Sequence, residues 1–180
     1  MPPPRVYITG SMGSGKSTAG PLVAEQLGYR FLDLDAEVER AAGATISELF
    51  VRRGERTFRA LETAVLSEAA AQERVVVATG GGALANEGNL LMAETSGFIV
   101  YLKLSPAVLA GRLHGPNGRP LLHDEEGHPM TEEQIVTRLG ELIDQRERFY
   151  QHADVVIEAE GMTPPEVAAA IVESLPVVAA

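Results

Sequence analysis

Nine residues near the start of the chain, Gly10-Ser11-Met12-Gly13-Ser14-Gly15-Lys16-Ser17-Thr18, set the terms for everything around them. They match G-x-x-x-x-G-K-[ST] in the setting that the motif requires. Val6-Tyr7-Ile8 reads as a strand before it, and Ser17 to Leu27 reads as a helix after it, closed by Gly28. Glycines let such a loop curl until successive N–H groups point inward at phosphate oxygens, and the helix that follows adds its positive end. Gly13, Ser14, Gly15 and Thr18 are candidates for the cradle. Lys16 would bring an ammonium to the β- and γ-phosphates, and the Ser17 hydroxyl would ligate Mg²⁺. The chain has two lysines, Lys16 and Lys103, against thirteen arginines, so a lysine at this position stands out.

The rest of the chain alternates short β-rich runs with helical ones. Arg30 to Leu34, Val75 to Ala78, Ile99 to Leu104 and Val155 to Ile157 read as strands. Ala36 to Ala42, Thr45 to Arg53, Glu55 to Gln72, Ser105 to Leu113 and Thr131 to Tyr150 read as helices, and Thr163 opens a last one. Thr45 with Glu48, Thr131 with Gln134 and Thr163 with Glu166 have capping-box spacing, and Pro164 suits a first helical position. Such alternation implies a parallel sheet covered by helices on both faces, with ligands at the carboxyl ends of the strands.

Several polar residues fall at those ends. In Phe31-Leu32-Asp33-Leu34-Asp35 the two carboxylates would share one face of an extended strand. Asp33 is assigned to the metal and Asp35 to a substrate hydroxyl, with capping of the next helix as the alternative for Asp35. Arg146 falls on the apolar stripe of its helix, where it needs an anion. A substrate carboxylate would serve, and so would an acidic side chain of the protein. Arg59 precedes Glu62 by three residues, so Glu62 either orients Arg59 toward an anion or forms a plain ion pair. Gly80-Gly81-Gly82 allows close approach to a ligand, or is simply a loose turn. The polar stretch around Arg119 and Pro120 is either a lid carrying Arg119 onto the phosphates or an ordinary loop. His123 and His128 lack convincing ligand spacing and read as solvated.

Composition removes several classes. Lys+Arg is 15 and Asp+Glu is 25, a net charge of −10, which argues against sequence-independent nucleic-acid binding. Cysteine is absent, so disulfides, thiolate metal sites and cysteine nucleophiles are excluded. No apolar run approaches the ~18 residues of a membrane span, and the start lacks a signal-peptide core. The expectation is a cytoplasmic enzyme or binding domain with no membrane or nucleic-acid partner, and a single domain bearing a lid would favour a monomer.

Together these segments resemble the shikimate kinase family, from Val6 to about Leu175. The likeness is carried by the glycine loop, Phe31 to Asp35, Phe58-Arg59-Ala60-Leu61-Glu62, Gly80-Gly81-Gly82, Arg119-Pro120-Leu121-Leu122 and Arg146-Glu147-Arg148-Phe149-Tyr150. It implies a P-loop α/β/α fold like that of nucleoside monophosphate kinases, with a five-stranded parallel sheet and a lid. One kinase domain would cover 1–180, with a substrate-binding region near 33–62 and a lid near 112–130. The implied reaction moves the γ-phosphoryl group of ATP to the 3-hydroxyl of shikimate, giving shikimate 3-phosphate and ADP, with Mg²⁺, on the route to aromatic amino acids. By this likeness Asp35, Arg59, Gly81 and Arg146 would hold the substrate, helped by Glu62, Gly80 and Gly82. Lys16 and Arg119 would contact phosphates, and Arg112 would lie against adenine with Pro120 opposite. The adenine-loop stretch Glu158 to Pro164 lacks an arginine that some members carry, which leaves Thr163 as its assigned residue.

Competing readings remain open at this level. Another small-molecule kinase, acting on gluconate or a nucleotide, would share the fold. A GTP-dependent switch is disfavoured, since Asp124-Glu125-Glu126-Gly127 fits D-x-x-G only superficially and no Asn-Lys-x-Asp occurs. A module that binds nucleotide without chemistry is the third.

Overall fold

Alternation of side chains along the strands decides the layering. The computed structural model describes residues 1–113, 122, 128 and 130–177. Its elements run β1 (Arg5–Thr9), α1 (Lys16–Leu27), β2 (Arg30–Asp33), α2 (Leu34–Ala42), α3 (Ile46–Ala70) and β3 (Val75–Ala78). They continue with α4 (Glu87–Ser96), β4 (Phe98–Lys103), α5 (Pro106–Leu113), α6 (Glu132–Tyr150), β5 (Val155–Glu158) and α7 (Pro164–Ser174). The strands form one five-stranded sheet in the order β2-β3-β1-β4-β5, and every pairing is parallel. Val6, Ile8, Val76, Val100 and Leu102 face one core with α1, α5, α6 and α7. Tyr7, Val75, Val77 and Ile99 face the other with α2, α3 and α4. Neighbouring positions thus point to opposite, fully covered faces, which is why these strands read as unbroken apolar runs.

β1 is central, and β3 and β4 lie on either side of it. The crevice at this reversal of strand order opens beyond the carboxyl end of β1, where the glycine loop sits. Helix ends follow the sequence signals closely. Gly28 and Gly43 close α1 and α2 in the left-handed region. The Thr45–Glu48 and Thr131–Gln134 boxes both form. At Thr163, the Glu166 carboxylate takes both the backbone N–H and the hydroxyl, each at 2.7 Å.

Two differences matter for the site. The helices expected at 45–53 and 55–72 run as one element, α3, broken by Gly54 at φ 76°, ψ 165°. An additional helix, α4, follows the triple glycine; its cap Asn86 accepts from the N–H of Asn89 at 3.1 Å. Its weak amphipathic signal explains why the sequence did not reveal it: Asn89, Leu90 and Ala93 are its buried positions. Among the described residues, no helix is long and apolar enough to cross a membrane.

Candidate active site

The glycine loop folds as its composition demands. Gly10, Gly13 and Gly15 all have positive φ, and Gly15 leads into α1 from the left-handed region. At Gly10 (φ +142°) a Cβ would stand 2.6 Å from the carbonyl oxygen of Leu102, so no other residue fits there. Lys16 is buried, and its Nζ donates to the carbonyls of Gly10 and Ser11, both at 2.8 Å, and to Ser14 Oγ at 3.2 Å. These bonds satisfy an ammonium that would otherwise be costly to bury. A cleft of about 540 Å³ opens over the loop, lined by Gly13, Gly15, Lys16, Ser17, Thr18, Asp33, Asp35, Thr79 and Arg112 among others.

The two aspartates are not arranged as the sequence suggested. β2 ends at Asp33, and α2 begins at Leu34, so Asp35 lies in the first turn of a helix. The shared strand face is therefore corrected, and so is the capping alternative: Asp33 is the N-cap. Its Oδ1 accepts from the N–H groups of Asp35 at 3.1 Å and Ala36 at 3.3 Å. Such a cap satisfies helix donors that lack internal partners, which outweighs continuing the strand. Oδ2 is turned the other way and accepts from the Ser17 hydroxyl at 2.5 Å. A hydroxyl and a carboxylate oxygen side by side suit a hard cation such as Mg²⁺, which keeps most of its waters and needs few protein ligands.

Asp35 also lines a second cleft, of about 490 Å³, with Arg59, Glu62, Gly80, Gly81, Gly82 and Arg146. Met12, Asp35 and Gly81 belong to both clefts, so the two are neighbours. α3 supplies Arg59 and Glu62, which pair at 2.8 Å; Arg59 also reaches Glu55 at 3.3 Å. Glu62 is only 1% exposed. Burial pushes its carboxyl above the usual range, against the pull of Arg59. Arg146 reaches in from α6 and donates from Nη1 to the Gly81 carbonyl at 3.0 Å. Among the described residues it makes no ion pair with a carboxylate. At Gly82 a Cβ would stand 3.2 Å from Arg146 Nη2 and from both terminal nitrogens of Arg59. At Gly80 it would stand 2.7 Å from Asp35 Oδ1 and 3.0 Å from Glu62 Oε1. The glycine triplet thus leaves room for the Asp35 and Glu62 carboxylates at Gly80 and for the two guanidiniums at Gly82, where any side chain would crowd them.

A third, smaller cavity of about 190 Å³ adjoins the glycine loop. Arg112 lines it and donates from Nη1 to the Gly13 carbonyl at 3.2 Å. α7 and the segment before it contribute Ala159, Met162, Pro164 and Val167. Thr163 stands between two of them, but its hydroxyl is committed to Glu166. Arg119, Pro120 and most of the expected lid lie outside the described residues.

Glu39, Thr45, Ile46, Ser47 and Phe50 fall within the expected substrate-binding region 33–62 but were given no site role by the sequence, and all line the second cleft. Thr45, Ile46, Ser47 and Phe50 come from the start of α3 and its N-cap, and Glu39 from α2. Tyr150 was also missed as a site neighbour, although it follows Arg146 by four residues and so shares its helix face.

Comparison with known proteins points one way. A family model described as shikimate kinase matches residues 12–176. The shikimate kinase of Chlorobaculum tepidum is 44% identical over 152 residues, spanning 84% of this chain and 80% of that protein. The one from Gloeobacter violaceus is 45% identical over 164 residues, spanning 91% and 87%. Among solved structures, the shikimate kinase of Acinetobacter baumannii in complex with shikimate has a TM-score of 0.86 and 36% identity. That match covers 94% of this chain and 91% of the other.

Proposed function

This chain belongs to the shikimate kinase family, and from that membership we propose that it moves the γ-phosphoryl group of ATP to the 3-hydroxyl of shikimate. The observation that carries the assignment is the junction of the two clefts at Asp35. On one side lies a phosphate-binding loop; on the other, Arg59 and Arg146 converge on Gly82. A small acid held there by its carboxylate presents hydroxyls toward Asp35 and the loop.

In this reading the loop N–H groups and Lys16 take the phosphate oxygens, Lys16 exchanging the Gly10 and Ser11 carbonyls for them. Ser17 and Asp33 hold Mg²⁺, which when bound supplies positive charge to the phosphates. Arg112 packs beside the nucleotide, Thr163 keeps the neighbouring turn in place, and Arg119 and Pro120 complete the nucleotide site from the lid. Arg59, oriented by Glu62, and Arg146 fork the substrate carboxylate. Asp35 accepts the hydrogen bond of the attacking hydroxyl and takes its proton as that oxygen bonds to the γ-phosphorus. The bond to the departing ADP oxygen breaks in line. Catalysis then consists of positioning and charge stabilisation. The same reading takes 33–62 as the substrate-binding region and 112–130 as the lid of one domain, in a cytoplasmic monomer.

The test is a coupled assay of ADP release. ADP production should require shikimate and give a product phosphorylated at the 3-oxygen. ADP production with gluconate or a nucleoside monophosphate, and none with shikimate, would overturn the assignment.

A further inference from the structure

Building on the shikimate kinase reading, we propose that Tyr150 is a positioning residue for substrate binding: its hydroxyl holds the Gly81 carbonyl so that Arg146 can leave it for the substrate carboxylate.

The Gly81 carbonyl accepts two hydrogen bonds, from Arg146 Nη1 at 3.0 Å and from the Tyr150 hydroxyl at 2.9 Å. A carbonyl oxygen has two lone pairs, so its capacity is filled. Both donors come from one face of α6. Their other obligations differ. The Tyr150 ring is 2% exposed and stacks on Tyr101 of β4, with centroids 4.4 Å apart. That packing leaves the phenol no room to swing. Burial also raises the pKa of Tyr150, so its hydroxyl remains a donor at neutral pH. Arg146, by contrast, is only half-buried and lines the substrate cleft, and its Nη2 stands over Gly82 beside Arg59.

A carboxylate entering between the two guanidiniums competes with the Gly81 carbonyl for Arg146. A charge-assisted bidentate pair is stronger than a bond to a neutral carbonyl, so the arginine goes to the carboxylate. The carbonyl it leaves still has Tyr150. Without that hydroxyl, each binding event would strand a partly buried acceptor, and the cost would appear as weaker substrate affinity. Tyr150 itself does not line the substrate cleft, so it acts through Gly81 and Arg146.

Tyr150→Phe keeps the ring and its stacking and removes the hydroxyl, both its bond to the Gly81 carbonyl and its contact with Arg146. In the full-length chain the KM for shikimate and the calorimetric Kd should rise roughly fivefold, the equivalent of one neutral hydrogen bond. The KM for ATP and kcat should stay within about twofold of wild type, since Lys16 and the glycine loop lose no bond. If wild type turns over shikimate and Tyr150→Phe leaves the shikimate KM and Kd unchanged, this inference alone is overturned. Equal rises in both KM values with a lowered melting temperature would reduce Tyr150 to a structural residue and overturn it too. A wild type with no shikimate-dependent ADP release would instead defeat the reading on which the inference rests.

Discussion

Ser17 and Asp33 meet at the mouth of the phosphate cleft, hydroxyl to carboxylate oxygen at 2.5 Å. One residue closes the glycine loop and the other closes β2, so two consecutive strands deliver one oxygen each to the same point. Asp33 divides its work: one oxygen caps α2 and the other faces the cleft.

Asn caps helices about as well as Asp, so Asp33→Asn separates these two duties. The melting temperature should be nearly unchanged. The magnesium concentration for half-maximal activity should rise by about 10- to 100-fold, as when a residue that orients a metal's surroundings is lost. A magnesium titration of the ADP assay reads this directly, and an unaltered titration would remove Asp33 from the metal site.

Asp35→Asn retains shape and loses basicity. If Asp35 takes the hydroxyl proton, kcat should fall by about 10²- to 10⁴-fold while the shikimate Kd changes little. Near-normal turnover would show that Asp35 only orients the hydroxyl.

Gly82→Ala would push a methyl group against Arg59 and Arg146. Displacing two charge-assisted contacts should raise the shikimate KM by about tenfold or more, with the ATP KM little affected. Equal damage to both KM values would mean that the loop, not the pair of arginines, had been disturbed.

Glu62 offers a pH test. Its folded-state pKa lies above the ordinary 4.5, chiefly because burial disfavours the charged form. A carboxyl shifted upward contributes its stability fully below the unfolded value and loses it as pH rises through the folded value. The melting temperature of wild type relative to Glu62→Gln should therefore be highest in acid and decline as pH climbs from about 4 toward neutrality. Thermal melts of both chains across that range check the sign; a difference that grows with pH would contradict it.

The glycine loop, the five parallel strands and the capping boxes at Thr45, Thr131 and Thr163 were legible because each is governed by local rules. Gly15 and Gly28 can take left-handed angles at no steric cost, and Thr131 caps through a residue three positions away. The order of the strands and the neighbourhood of α4 were not legible, since Asn89 and Ala93 are buried by contacts from elsewhere in the chain. Asp35 shows the boundary between the two. Alternation over five residues allowed a strand through to 35, but the side chain of Asp33 could satisfy free helix donors, and the turn came two residues earlier.

Which chemistry this chain carries was already written in its residues: an ammonium after glycines, carboxylates after a strand, arginines on apolar helices. Their partners were not. Arg59 found a carboxylate three residues along its own helix, as spacing alone permits. Arg146 found a backbone carbonyl 65 positions away, and a tyrosine already bound to it. Contacts within one helical turn follow from backbone geometry, whereas contacts across the sheet depend on how helices pack over it, and only the folded chain decides that.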